Sequence, residues 1–405
     1  MPEGPASRRS GAEADNTAYR ADVLGEKLRV QALRWGLRVV FGLPRPFKRV
    51  LAGRTIRVDG QELDLDLQLF GRIDRLGSGD GATIDRATLA EQRRQADLAA
   101  DLVADSLLDD IETRDLQVPG EIGHLPARLY TPPAVPETRS MVVFFHGGGF
   151  VMGSVASTDP LCRLLAAQSG VRVLSVDYRL APEDPYPAAL EDAIAAFRAV
   201  HRDAAGFGAD PGLIAVGGDS AGANLALVVA QQQAVLGGPV PAFVLALYPV
   251  TDVGRTGGSR ELFGNGFGLT AQLLQELERM YLPDGVPTHD TRGALLRAED
   301  LSGMPPVYLA TAGFDPLRDE GEELAARLRD AGVPVVARRF PGLVHGYASF
   351  TALSAAARDA TLDAASALRA GLGLVAGARG RRAARRHGLF ELRRPRHGAD
   401  PLAGG

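Results

Sequence analysis

Apolar runs alternate with amphipathic segments in the chain from residue 140 onwards. Each run is short and nearly continuous, which is typical of buried strands, whereas the segments between them repeat apolar residues at helical spacing. Such an alternation predicts an α/β fold, with a mostly parallel sheet covered by helices on both faces. The predicted strands are Met141 to Phe145, Val171 to Val176, Leu213 to Val216, Phe243 to Leu247, Val307 to Thr311 and Val333 to Arg338, and the predicted helices lie near 160–168, 187–204, 221–235, 318–331 and 352–371.

The first 140 residues carry a weaker pattern. A helix is predicted before the Pro-containing segment 43–46, because five apolar residues share one helical face there: Val30, Leu33, Leu37, Val40 and Phe41. The alternating leucines of residues 63–69 fit either a strand or the start of a helix. Residues 88–108 repeat apolar residues at helical spacing, and residues 115–130 indicate a hairpin that leads into the main sheet.

Three segments fall outside the alternation. Residues 1–20 are polar and rich in Gly and Ala, and are expected to be disordered. Residues 253–300 form a Gly-rich insertion in which residues 271–281 predict one clear helix. From Ala378 the tail carries eight arginines and too few apolar residues to bury, so residues 378–405 are expected to be a disordered basic tail.

Composition narrows the class of protein. The chain has 405 residues, 45% of them apolar, and a formal net charge of -4, which is typical of a globular protein and gives no reason to expect nucleic-acid binding. No apolar run is long enough to span a membrane, and the start lacks the apolar core of a secretory signal. The single cysteine, Cys162, excludes an internal disulfide, fits a reducing cytoplasm and is interpreted as a small core residue.

Positive charge is concentrated near the start of the chain. Between Lys27 and Arg57 there are nine basic residues and no acidic one. A basic amphipathic helix with Trp35 on its flank could lie on an anionic membrane surface, which would give peripheral membrane contact through residues 27–57. The alternative interpretation, which we prefer, is a helix that packs on its own domain.

The clearest chemical signal surrounds Ser220. An apolar run leads into Gly218-Asp219-Ser220-Ala221-Gly222, and helical spacing of apolar residues follows. Gly-X-Ser-X-Gly between a strand and a helix is the nucleophile-elbow pattern, in which small neighbours let a strained serine stand above the sheet edge. The same pattern also occurs in ordinary turns, so the partner residues decide between the two.

Candidate partners follow three other predicted strands. The strand 141–145 runs into His146-Gly-Gly-Gly-Phe150, whose backbone N–H groups could stabilise an oxyanion. Asp315 and His345 each follow a strand, where α/β sheets place their ligands, and the order Ser, Asp, His is that of the hydrolases. Asp319 is the rival acid, but it lies a turn into the next helix, so Asp315 is preferred.

Together these blocks resemble the hormone-sensitive lipase family of α/β-hydrolases (the bacterial family IV esterases), in the branch whose elbow reads Gly-Asp-Ser-Ala-Gly. In chain order the matching blocks are His146 to Phe150, Asp177 to Glu183, Gly218 to Gly222, Asp315 to Asp319 and His345-Gly346. Tyr347 departs from the Phe that is commoner after the histidine. The first hundred residues are longer than in compact members, and the basic tail lies outside the family pattern.

The resemblance implies a serine carboxylic-ester hydrolase acting on short- to medium-chain acyl esters through an acyl-enzyme intermediate. Ser220 would be the nucleophile and His345 the base, with Asp315 holding the imidazole. The oxyanion hole would consist of the N–H groups of Gly147, Gly148 and Ala221. No metal and no organic cofactor is required, and the expected partner is a small-molecule ester.

The resemblance also implies a division of the chain. Residues 21–110 would form a helical cap region and residues 111–372 the catalytic α/β-hydrolase domain, with a cap insertion near 253–300. His146 is expected to shape its own loop. Asp177 and Arg179 are expected to form a buried pair that braces the following turn.

Other functions stay open for the same pocket. They are hydrolysis of an acetyl amide, elimination on a small natural product and a membrane-surface lipase activity. A non-catalytic small-molecule binding protein is less favoured because the serine, acid and histidine are all present. A cytoplasmic location is expected, and the sequence leaves a homodimer open.

Overall fold

An eight-stranded sheet forms the centre of the computed structural model, which describes residues 32–78, 83–102, 110–133, 139–282 and 292–391. A separate antiparallel pair consists of β1 (Arg57–Val58) and β2 (Gln61–Glu62). The strands of the main sheet are β3 (Glu112–Pro119), β4 (His124–Thr131), β5 (Met141–Phe145), β6 (Arg172–Val176), β7 (Ile214–Asp219), β8 (Val244–Leu247), β9 (Val307–Phe314) and β10 (Val335–Val344). Their order across the sheet is β10-β9-β8-β7-β5-β6-β4-β3.

The sheet is parallel except at one edge. Neighbouring strands from β10 across to β6 all pair in parallel. The hairpin of β3 and β4 is antiparallel, and β4 pairs antiparallel with β6. All residues of β5, β7, β8 and β9 are buried, as expected for strands covered on both faces. The predicted hairpin and the predicted parallel sheet are therefore confirmed.

Helices cover the sheet and extend beyond it. In chain order they are α1 (described from 32 to 41), α2 (Arg45–Ala52), α3 (Leu65–Ser78), α4 (Leu89–Leu102), α5 (Asp159–Ser169), α6 (Ala188–Arg202), α7 (Ala221–Val235), α8 (Ser259–Leu262), α9 (Ala271–Tyr281), α10 (Arg318–Asp330) and α11 (Ala355–Glu391). One apolar cluster joins the sheet to α6, α7 and α10, and a second joins its other face to α5 and α11. Cys162 of α5 is fully buried in the second cluster.

Three of the four alternating leucines belong to helix α3 rather than to a strand, and Leu63 lies two residues before its start. Leu65 and Leu69 pack into a cluster with Phe41, whereas Leu63 and Leu67 pack into the cluster beneath the sheet. Since α3 is covered on two sides, apolar residues are needed on both, and the resulting pattern imitates the period of a strand.

The structure contradicts the predicted disordered tail over the residues that it describes. Helix α11 continues through Glu391, so the expectation of disorder is wrong for residues 378–391. Ala and Arg are strong helix formers, and Arg379 pairs with Asp210 at 2.9 Å, so the helix continues without an apolar face to bury. Residues 392–405, 1–31 and 103–109 lie outside the described part. No helix among the described residues is both long and apolar enough to cross a bilayer.

Candidate active site

Ser220 stands at a sharp turn between β7 and α7. Its backbone has φ 53° and ψ -116°, a region that non-glycine residues rarely occupy. The flanking glycines permit this turn because the chain passes very close to β5. A Cβ at Gly218 would lie 2.6 Å from the carbonyl oxygen of Phe145, and one at Gly222 would collide with the same oxygen. The predicted strand, turn and helix are confirmed here.

The three predicted residues of the acid–base chain lie in hydrogen-bonding contact. Ser220 Oγ is 2.9 Å from His345 Nε2, and His345 Nδ1 is 2.8 Å from Asp315 Oδ2. Asp315 is fully buried, and its other oxygen accepts the N–H of Leu317 at 2.8 Å. This geometry allows the carboxylate to fix the proton on Nδ1, which leaves Nε2 free to take the serine proton.

Asp319 occupies a different environment. Its Oδ2 accepts the N–H of Ser259 at 2.8 Å, and its Oδ1 accepts a hydrogen bond from Arg318 at 2.8 Å. The carboxylate therefore attaches the first turn of α10 to the segment around α8. Between the two candidate acids, only Asp315 contacts His345.

The predicted oxyanion hole needs a correction. The N–H of Gly147 donates to Asp219 Oδ1 at 2.8 Å inside the protein, so this group is not available to a substrate and the prediction for Gly147 is wrong. Gly148 and Gly149 both line the cavity beside Ser220. Within the described part of the chain their N–H groups donate to no protein acceptor, and the same holds for Ala221 at the start of α7.

Gly149 was missed in the sequence because three consecutive glycines do not reveal which N–H groups point into the cleft. Its φ is 63°, and a Cβ there would lie 2.6 Å from the side chain of Leu277. Glycine is therefore favoured at this position, where the loop turns beneath α9. The acidic residue next to Ser220 was the sequence signal that one N–H of the glycine loop could be bonded within the protein.

Asp219 is a buried carboxyl next to the nucleophile. Burial raises the pKa of Asp219 to about 6, although the Gly147 N–H and the nearby His345 act in the opposite direction. Its hydrogen bond fixes the first glycine of the loop, and the next two glycines then follow along the cavity wall. Asp219 therefore positions the groups that could stabilise an oxyanion.

His146 and Asp177 brace this loop from behind. His146 is buried, stacks on Tyr178 with ring centroids 4.3 Å apart, and its Nδ1 lies 2.8 Å from the carbonyl oxygen of Gly147. Burial lowers the pKa of His146 and raises that of Asp177. The expected pair of Asp177 with Arg179 is wrong, since Arg179 binds Asp192 at 2.7 Å and Asp177 accepts the N–H of Val155.

The serine opens into a cavity of about 290 Å³. One wall is the sheet edge, with Gly148, Gly149, Asp219, Ser220 and His345. The opposite wall is apolar. It is formed by the loop that precedes α4 and by the insertion near 253–300. Its residues are Ile84, Leu269, Leu273, Leu274, Leu277 and Tyr281. Tyr281 also stacks on Phe150, with ring centroids 3.8 Å apart.

A second cavity of about 490 Å³ lies on another side of His345. It runs between α3 and residues 265–272, and its walls include Phe70, Phe267 and Phe350. The histidine is thus bordered by two cavities, of which the smaller contains the serine and the glycine loop.

The fold and the residues at its sheet edge define an enzyme of the α/β-hydrolase class. A family model described as an alpha/beta hydrolase fold matches residues 142–349, and the chain belongs to this family. Among curated proteins, the carboxylic ester hydrolase LipN of Mycobacterium tuberculosis is 42% identical over 347 residues, which is 84% of this chain and 92% of that protein. Esterase LipI of the same organism is 40% identical over 73% of this chain and 90% of its own length.

Solved structures of esterases also resemble this chain. An ester-hydrolase from the metagenome of Lake Arreo superposes with a TM-score of 0.71 at 36% identity, covering 76% of this chain and 97% of that one. An esterase from Pyrobaculum calidifontis gives a TM-score of 0.68 at 35% identity, with coverage of 75% and 97%. These relatives support the hormone-sensitive-lipase-like, family IV group of esterases.

Proposed function

We propose that this protein hydrolyses short- to medium-chain carboxylic esters through an acyl-enzyme intermediate, and that it belongs to the Gly-Asp-Ser-Ala-Gly branch of its family. The observation that carries the proposal is the continuous contact from Ser220 through His345 to Asp315, at 2.9 Å and 2.8 Å, beside a glycine loop. Ester hydrolases among the relatives support the same reaction.

In the proposed mechanism, Ser220 Oγ attacks the ester carbonyl while His345 Nε2 accepts its proton. The N–H groups of Gly148, Gly149 and Ala221 stabilise the resulting oxyanion, and these three replace the set expected from the sequence. His345 then protonates the leaving alcohol. Water, activated by the same nitrogen, hydrolyses the acyl-enzyme and regenerates the serine.

The proposed acyl site is the cavity of about 290 Å³. Leucine and tyrosine side chains from α9 line it opposite Ser220, so burial of an alkyl chain is the main source of binding energy. Its small volume favours short- to medium-chain acyl groups over long ones.

We propose that the cap has two parts, residues 21–110 and the insertion near 253–300. Three hydrogen bonds support this proposal. Ile84 donates its N–H to Glu276 of α9 at 3.1 Å, and Arg93 of α4 binds the carbonyl oxygens of Val151 and Ala181 at 2.8 Å. The proposed location is the cytoplasm. The proposed partners, besides the ester substrate, are a second copy of the chain and a membrane surface contacted through residues 27–57.

The test is a panel of nitrophenyl esters from C2 to C16 beside the matching nitroanilides. We expect kcat/KM to be highest on short- to medium-chain esters and to fall for C12 and longer, with far slower cleavage of the anilides. Preference for an acetyl anilide over its ester would indicate an amidase, and preference for C16 would indicate a lipase. Binding without turnover of any ester would indicate a non-catalytic receptor.

A further inference from the structure

Exposed apolar side chains are concentrated on the first two helices. Of the fifteen large hydrophobic residues that are exposed in the described part of the chain, six lie between residues 33 and 51. Five of them form what we call the outer face: Trp35 and Val39 of α1, and Phe47, Val50 and Leu51 of α2. Trp35 is 70% exposed and Val50 is 79% exposed, which costs solvation free energy unless another surface covers them.

The outer face is not needed for packing within the domain. The opposite side of the same helices, with Leu37, Val40, Phe41 and Ala52, already packs on Leu65 and Leu69 of α3. Within α1 the exposed residues are four positions apart, and within α2 they are three and four apart, so each helix presents a continuous outward strip. Both helices therefore have two apolar sides, of which one anchors them and the other faces solvent.

Basic residues flank the residues of the outer face in the sequence. Lys48 is buried against Asp66 and Arg49 bonds to Gln68, so these two contribute to packing. Arg38, Arg45 and Arg54 are exposed. No acidic residue occurs from Lys27 to Arg57, in a chain whose net charge is -4. The local charge is thus opposite in sign to that of the whole protein.

We propose that the outer face docks on an anionic lipid surface. Apolar strips flanked by arginine, with tryptophan at their edge, are the features that place short helices at the boundary of headgroups and acyl chains. Two copies of the chain would bring two basic surfaces together, so charge favours an anionic bilayer over self-association. This docking is independent of the proposed ester hydrolysis.

The helices that carry the outer face also connect with the second cavity. Phe70 and Phe350 pack against the cluster on which α1 and α2 rest, with ring centroids 4.8 Å apart. Both rings line the cavity that reaches His345. A docked protein would therefore have its lipid-facing helices joined to that cavity by one apolar cluster.

Trp35 is the only tryptophan of the chain, so its fluorescence reports directly on the outer face. Titration of the full-length protein with phosphatidylglycerol vesicles should shift its emission to shorter wavelength and protect it from acrylamide quenching. Phosphatidylcholine vesicles should do neither at the same lipid concentration. Added salt should weaken the binding to phosphatidylglycerol, because screening reduces the attraction of the arginines.

Matched variants separate the two contributions to docking. Phe47→Gln with Val50→Gln, and separately Arg45→Glu with Arg54→Glu, should each weaken vesicle binding at least about tenfold. Val235→Gln with Leu236→Gln, and Arg114→Glu with Arg202→Glu, alter exposed residues elsewhere and should leave it unchanged. All four double variants should keep the wild-type circular dichroism and melting temperature.

Three results would overturn the proposal. The first is unchanged Trp35 emission and no co-sedimentation with phosphatidylglycerol vesicles. The second is equal binding to both lipids, which would remove the role of the arginines. The third is a concentration-dependent dimer that shields Trp35 without lipid, which would assign the outer face to a second copy of the chain.

Discussion

The two walls of the smaller cavity differ in how they are held. Each residue of the sheet-edge wall ends a strand, directly follows one or lies in the glycine loop after β5. Hydrogen bonds of 2.8 to 2.9 Å connect Ser220, His345 and Asp315. The cap wall consists mainly of leucine and tyrosine side chains that contact the cavity through apolar surface. Substitutions in the first wall should therefore abolish turnover, whereas those in the second should redistribute it among substrates.

The largest effect is expected at the nucleophile. Ser220→Ala should lower kcat on a short-chain ester by about 10⁶, because attack and proton transfer act as a unit. The exposed Ser302→Ala should behave as wild type. Steady-state rates with both variants measure this, and an alanine enzyme that keeps a tenth of the wild-type rate would exclude Ser220 as the nucleophile.

The second effect separates the two candidate acids. Asp315→Asn keeps the shape but lets the imidazole adopt the wrong tautomer, so kcat should fall roughly 10⁴-fold. Asp319→Asn removes a bond to the cap segment and should change kcat by less than about tenfold. Both variants are measured on one short-chain ester. A nearly normal Asp315→Asn enzyme beside an inactive Asp319→Asn enzyme would transfer the role to Asp319.

The third effect is a pH-dependent change in stability. The folded pKa of Asp219, about 6, exceeds its ordinary value of 3.8, so the folded state binds this proton more tightly than the unfolded state. The contribution of Asp219 to stability, on the order of 3 kcal/mol below about pH 4, is therefore lost as pH rises from about 4 to 7. Asp219→Asn lacks this loss and keeps an oxygen for the Gly147 N–H.

Denaturant unfolding at several pH values tests this prediction. The difference in unfolding free energy between Asp219→Asn and wild type should increase in favour of the variant as pH is raised from about 4 to 7. The exposed carboxylate variant Asp330→Asn should show no such trend. A relative gain toward low pH would mean that the sign assigned to the Asp219 pKa shift is wrong.

The smallest effect is expected in the cap wall. Leu277→Ala enlarges the acyl site, so the ratio of kcat/KM for an octanoyl over an acetyl ester should rise about tenfold, since one or two methylenes in a pocket change specificity by that order. Leu262→Ala removes an exposed leucine from α8 and should leave the ratio unchanged. An unaltered ratio in Leu277→Ala would show that the acyl chain binds elsewhere, with the second cavity as the alternative.

The sheet-edge wall could be predicted from the sequence because local patterns determine it. A buried strand followed by a glycine-flanked serine specifies both the turn and the place of the side chain. Asp315 and His345 could be predicted because each follows a predicted strand of the same sheet. The assignment of Gly147 failed because the sequence does not show which backbone N–H of the three consecutive glycines donates to the acidic residue beside Ser220. Only the folded structure reveals that Asp219, a residue seventy-two positions away, accepts it.

The cap wall could not be predicted in the same way. Its residues come from helices whose positions depend on tertiary packing, as the leucines of α3 illustrate, since burial on two sides gave them the period of a strand. The C-terminal part of α11 shows the opposite situation, in which local preference and not tertiary packing determines the structure. A segment with few apolar residues is helical there, because intrinsic propensity and one exposed ion pair are enough to continue an existing helix.

Covalent capture of the nucleophile tests the central claim most directly. A nitrophenyl phosphonate transfers its phosphonyl group to an activated serine and releases nitrophenol, and mass spectrometry of the digested protein locates the adduct. The account predicts one adduct per chain, on the peptide that contains Ser220, with much slower labelling in Asp315→Asn and none in Ser220→Ala. Labelling of another residue at the wild-type rate in Ser220→Ala would contradict it.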